Sequence, residues 1–191
     1  MEIRSFLAFE LPLDIKEIVA RVSSEIRKTP LSVRWVRVDN IHLTVIFMGN
    51  VKTGDIVNIG TEVEKICLRY GTFDVSLREL GFFPNRRNPR VLWLGLDGDL
   101  ERMSEFRDSL QKRLRPFGIK EEKRRFTPHL TLGRFKKPHK KDFHLDELIM
   151  RYGDLTSPVC LLNELILFQS TLKPSGAEYT KLGSWPLSGD E

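Results

Sequence analysis

Ile41-His42-Leu43-Thr44-Val45-Ile46-Phe47-Met48 has a near twin 87 residues further on, Pro128-His129-Leu130-Thr131-Leu132-Gly133-Arg134-Phe135. Read as strands, both segments put residues i and i+2 on one face. His42 then stands beside Thr44 and His129 beside Thr131. Leu43, Val45 and Phe47 turn the other way into one core, and Leu130, Leu132 and Phe135 into another. One His-x-Thr match carries no weight, because a lone histidine on a strand is usually a packing residue. Two His-Leu-Thr matches among only four histidines and ten threonines are a pattern.

The flanking sequence repeats in the same order. Ile3 to Glu10 reads as a strand, followed by a helix capped by Asp14 with Ile15, Ile18, Val19, Val22 and Ile26 at helical spacing. Ser32 to Val38 and Ile41 to Met48 read as strands about an Asp39-Asn40 turn. After Gly49-Asn50 comes a helix near Gly54 to Arg69, and Gly71 leads into a strand from Phe73 to Leu80. This is the β-α-β-β-α-β order of a ferredoxin-like unit. The second half offers a strand at Val91 to Leu96, a helix at Asp99 to Arg115, a charged candidate strand at Ile119 to Arg125, and the strand His129 to Phe135. A helix at Asp142 to Tyr152 and an apolar strand at Val159 to Gln169 follow. A Pro174-Ser175-Gly176 turn then leads to a last strand, Glu178 to Gly183.

The two halves keep their spacing when anchored on the histidines. Ile3 lies 39 residues before His42 and Val91 lies 38 before His129, while Phe73 and Cys160 each follow by 31. Leu77-Arg78-Glu79-Leu80 is echoed by Leu162-Asn163-Glu164-Leu165. The expectation is an α+β fold in which two β-α-β-β-α-β lobes, related by a pseudo-twofold axis, enclose a central cleft between antiparallel sheets. Residues 1–191 form a single bilobal domain, with repeat one at about 1–83 and repeat two at about 91–185.

Composition removes several classes. With 40% hydrophobic and 30% charged residues the chain suits a folded globule. No apolar run approaches the ~20 residues of a membrane span, and the opening MEIRSFLAFELP is too charged for a signal peptide. A cytoplasmic protein is expected. Cys67 and Cys160 stand alone in apolar surroundings, against a disulfide framework or a cysteine zinc site. His139 and His144 sit in a polar, lysine-rich segment and are read as surface residues. There is no phosphate-binding P-loop, Gly-x-Ser-x-Gly elbow or dinucleotide fingerprint.

Lys and Arg number 31 against 26 Asp and Glu, a formal charge of +5. The excess is concentrated: nine cations lie between Lys120 and Lys141, and a second cluster is Asn85-Arg86-Arg87-Asn88-Pro89-Arg90. Such patches favour a phosphate-bearing partner. Under a pseudo-twofold, the two His-Thr faces meet across the cleft. One imidazole can take a proton from a nucleophile while the other gives one to a leaving group. Threonine hydroxyls can donate to oxygens whose charge grows in the transition state. A phosphodiester opened by in-line attack suits this set, and two histidines fall short of the three or four ligands of a zinc site. No cofactor and no metal are expected.

These residues resemble the two-histidine phosphoesterase superfamily, and more closely the RNA 2′,3′-cyclic phosphodiesterases, once called 2′-5′ RNA ligases. The likeness extends over Arg4 to Pro12, Trp35-Val36 through the first motif to Gly49, Phe126 to Arg134, Leu165 to Gln169 and Gly176 to Leu187. It implies that His42 is the general acid on the departing 3′-oxygen and His129 the general base on water, giving a 2′-phosphomonoester. It implies that Thr44 and Thr131 bind the non-bridging phosphate oxygens and that Arg134 adds charge there. Arg4 and Phe6 are further candidates, for substrate contact or for packing the cleft wall. The expected partner is RNA with a 2′,3′-cyclic phosphate end, bound by a monomer with no membrane. The alternatives are a 2′-5′ RNA ligase joining tRNA fragments, or a non-catalytic module that binds RNA ends.

Overall fold

The computed structural model describes residues 1–136, 143–174 and 176–190. The chain runs β1 (Glu2–Glu10), α1 (Leu13–Ile26), β2 (Val33–Trp35), β3 (His42–Lys52), α2 (Ile56–Cys67), β4 (Phe73–Phe83), β5 (Val91–Gly98), α3 (Leu100–Leu114), β6 (His129–Phe135), α4 (Phe143–Tyr152), β7 (Cys160–Leu162), β8 (Glu164–Lys173) and β9 (Gly176–Pro186). It is the α+β fold anticipated from the repeat. Eight of the strands follow one antiparallel path, β7-β4-β5-β6-β3-β1-β8-β9, with β2 added against β6.

The helices follow from apolar residues at helical spacing. Ile15, Val19, Val22 and Ile26 of α1, Ile59, Val63 and Ile66 of α2, and Met103, Phe106, Leu110 and Leu114 of α3 are all buried in one core against the sheet. On the strand side, a single register row crosses six strands: Leu165, Phe9, Leu43, Leu130, Leu94 and Leu80 are successive partners from β8 to β4. Every one of these side chains is buried. The row is symmetric about Leu43 and Leu130, which places the pseudo-twofold between β3 and β6.

Each half of the sheet borrows a strand. β4, the last strand of the first repeat, pairs with β5 of the second, and β8 of the second repeat pairs with β1 of the first. Leu80 and Leu165, the ends of the echoed Leu-x-x-Leu segments, take equivalent places beside Leu94 and Phe9. Sequence repeat and spatial half are therefore not the same set of residues.

Several local expectations are corrected. α1 opens at Leu13 with Pro12 at its cap position, so Asp14 lies in the first turn. Val38–Asn40 is a 3-10 turn, and β2 does not return beside β3 but pairs with β6 in the other half. β3 runs on through Gly49 and Asn50 to Lys52. Register shifts between β1 and β3 place Ile46 and Met48 in the core and leave Phe47 55% exposed. The apolar run from Val159 to Gln169 is divided: Cys160–Leu162 pairs with β4, and after Asn163 the chain enters β8 beside β1. Ile119 to Arg125 forms no strand. His139, Lys137, Lys140, Lys141, Asp142 and Ser175 lie outside the described residues, and His144 is partly buried on α4.

Candidate active site

The antiparallel register that pairs Leu43 with Leu130 sets His42 against Thr131 and Thr44 against His129, on the face opposite the core. Both histidines and both threonines are half-buried there. The two motifs thus meet at the symmetry axis, each histidine beside the other motif's threonine.

The two rings are held alike. His42 Nδ1–H donates to the Asn40 carbonyl at 2.8 Å, and His129 Nδ1–H donates to the Thr127 carbonyl at 2.8 Å. Each bond fixes the tautomer, so Nε2 is the nitrogen left for proton transfer. Burial lowers the pKa of both imidazoles from the ordinary 6.5. For His42 the Asn40 carbonyl and Glu10 oppose this, while the charge of His129 adds to it. For His129 the Thr127 carbonyl opposes it and Arg134 adds to it. The influence of His129 on His42 places the two imidazoles in one electrostatic field.

Their walls differ. Phe6 stacks on His42 with ring centroids 4.7 Å apart, and Tyr179 meets it edge-on at 5.3 Å. Phe6, Ala8, Ile166 and Phe168 form a small buried cluster on this face, separate from the main core, with Tyr179 packed against it. Phe6 is therefore the wall behind His42. On the other side Phe83 meets His129 edge-on at 4.8 Å, with Trp93 at 6.4 Å. Asn40 ties the first wall together: its side-chain amide donates to the Ala177 carbonyl at 2.8 Å, holding β9 against the residue that orients His42.

Arg134, exposed on β6, lines a cavity of about 930 Å³ with Thr44 and His129. His42 and Thr131 do not line it. Arg4 is exposed at the start of β1, its guanidinium 4.9 Å from the Phe47 ring centroid. Burial pushes the Tyr179 hydroxyl pKa up, and both Arg4 and Arg134 pull it down, so these three residues converge electrostatically. Sequence reasoning does not single out Tyr179, Phe83 or Phe168. A signal for two of them exists, since Phe83 and Phe168 lie 85 residues apart, the offset of the Leu80–Leu165 echo. The cysteines Cys67 and Cys160 are buried free thiols away from these residues, and burial pushes Cys67 up to about 12. Among the described residues no three His, Cys, Asp or Glu side chains are grouped to hold a metal ion, and no helix is long and apolar enough to cross a membrane.

Residues 14–171 match the sequence model of the 2′-5′ RNA ligase superfamily. The chain is 34% identical over 182 residues to an RNA 2′,3′-cyclic phosphodiesterase of Methanothermobacter thermautotrophicus, covering 95% of this chain and 97% of that one. It is 26% identical to a protein of the same name from Aquifex aeolicus, covering 98% of each. Among solved structures, a Thermus thermophilus protein superposes with a TM-score of 0.82 at 22% identity, covering 98% of this chain and 100% of that one. Escherichia coli LigT, solved with 3′-AMP, gives 0.76 at 24% identity, covering 98% and 99%.

Proposed function

The chain belongs to the 2′-5′ RNA ligase superfamily, and on that footing we propose that it hydrolyses 2′,3′-cyclic phosphate ends of RNA to 2′-phosphomonoesters without a metal ion. The observation that carries this is the paired His-Thr arrangement across Leu43 and Leu130, with both rings anchored through Nδ1.

In this reaction His129 Nε2 accepts a proton from water as the water oxygen bonds to phosphorus. The P–O3′ bond breaks in line, and protonated His42 Nε2 gives its proton to the departing 3′-oxygen. The 2′-ester bond survives, and proton exchange with solvent resets both rings. Thr44, Thr131 and Arg134 hold the non-bridging oxygens, where negative charge grows. The names of the two relatives support the substrate class. We take residues 1–191 to act as one unit and as a monomer, since one chain supplies both motifs. Ligation of tRNA fragments through a 2′-5′ bond would use a 5′-hydroxyl in place of water. Water's excess favours hydrolysis, and a pure binding module has no use for two tethered proton-transfer groups.

The test is an oligoribonucleotide with a 2′,3′-cyclic end incubated with excess EDTA. A 2′-phosphate product is expected, with His42→Ala and His129→Ala each slowing it by about 10²–10⁴-fold. Full activity in either variant, or abolition by EDTA, contradicts the proposal.

A further inference from the structure

The pseudo-twofold is broken beside β3, and that break coincides with the cavity. In the first repeat β2 lies along β6, with Val33, Arg34 and Trp35 opposite Phe135, Arg134 and Gly133, and Val36 N–H bonded to the Leu132 carbonyl. Val33 is buried and Trp35 packs against the core. At the 87-residue offset of the two motifs, Val33 and Trp35 correspond to Lys120 and Glu122. Charged side chains cannot be buried as Val33 and Trp35 are without a large desolvation cost. Ile119 to Arg125 accordingly forms no strand, and among the described residues nothing pairs with the edge of β3 beyond Leu43 on the side away from β1. The cavity of about 930 Å³ is bounded by that edge, at Thr44 to Phe47, and by the segment Lys120 to Thr127.

This groove is near the top of the ~300–1,000 Å³ range of ligand sites, far more than one phosphate needs. Six cations and two carboxylates line it. Arg107 is committed to Asp108, Arg124 to Glu122, and Glu121 to Arg115. Arg90, Lys120 and Arg125 are exposed, and none has a carboxylate partner among the described residues. The groove also presents aromatic surface from Phe47, Phe83 and Phe126. Cations that track a backbone, interleaved with aromatic faces, are the features that hold single-stranded nucleic acid.

We infer that the place of the missing strand is a subsite for a polynucleotide strand reaching beyond the reacting phosphate, so that the protein acts on oligonucleotide ends in preference to cyclic mononucleotides. The inference rests on the proposed hydrolase reading for its chemistry. Lys120 and Arg125 contact strand phosphates, and the aromatic faces receive bases.

The experiment compares the unaltered protein with Lys120→Ala/Arg125→Ala on a short oligoribonucleotide ending in a 2′,3′-cyclic phosphate and on a 2′,3′-cyclic mononucleotide. The expected loss in kcat/KM is about ten-fold greater for the oligonucleotide. The slope of log kcat/KM against log salt should fall by about 1.4 for that substrate, roughly 0.7 for each lost phosphate contact. Equal losses on both substrates, or no loss on either, overturn the inference. Binding of the same oligonucleotide ending in a 3′-hydroxyl, followed by fluorescence anisotropy, reads the groove without chemistry. If neither cyclic substrate is turned over, the hydrolase reading fails. Weaker binding by the double variant would then still support the groove, and unchanged binding would overturn it.

Discussion

Leu43 of β3 and Leu130 of β6 are direct cross-strand partners at the centre of the sheet, both fully buried. They are the middle residues of the two His-Leu-Thr motifs, so the pair that joins the two halves of the sheet is also the pair that sets the two imidazoles against each other's threonines. Packing and chemistry are read off opposite faces of the same three residues.

Truncating either leucine tests that coupling. Leu43→Ala and Leu130→Ala should each lower unfolding stability by about 2–5 kcal/mol, as buried leucine truncations do. Urea denaturation measures it. A loss under ~1 kcal/mol in both would mean that this contact does not hold the halves together.

The pH dependence has a definite sign. The general acid must be protonated, so activity falls as pH rises through its pKa. The general base must be neutral, so activity falls as pH drops through its own. Burial lowers both from 6.5, so the bell in kcat/KM should peak on the acid side of 6.5. A maximum above about pH 7 would contradict this assignment.

With His42 as the proposed general acid, Asn40, whose carbonyl accepts from that ring's Nδ1–H, is a positioning residue. Replacing it by Ala removes the amide bond to the Ala177 carbonyl and frees the turn whose carbonyl aims the ring. A fall in kcat of about ten- to a hundred-fold is expected, with KM changed much less, because misplacing a proton donor costs rate rather than binding. A rise in KM at constant kcat would instead place Asn40 in substrate binding.

Gly133 is required by close packing. A Cβ there would sit 2.4 Å from Val33 Cγ1 and 3.2 Å from the Arg34 carbonyl oxygen. Gly133→Ala should cost about 1–3 kcal/mol, visible as a lowered Tm. An unchanged Tm would show that β2 moves aside freely.

The sequence is most legible where its signal is local. Period-two alternation places His42 with Thr44 and His129 with Thr131, and helical spacing locates α1, α2 and α3. What it misses depends on partners far along the chain. Alternation sends Phe47 to the core because it assumes an unbroken register, which the shifts against β1 interrupt. Proximity in sequence joins β2 to β3, whereas its apolar residues fit over Gly133 in the other half. Val159 to Gln169 reads as one strand because hydropathy does not record that Asn163 marks a change of partner from β4 to β1. The weakest strand candidate, Ile119 to Arg125, is largely the wall of the cavity, and its charge is the clue.

The exchange of β4 and β8 has a topological corollary. A chain holding only one repeat would carry an outer strand with no place in its own half, and two such chains trading those strands would be the smallest closed unit. Joining the repeats covalently makes that trade intramolecular, so assembly no longer depends on concentration. Once the copies are joined they are free to diverge, and one can surrender a strand without its counterpart doing the same. A homodimer bound by strict symmetry has no such freedom.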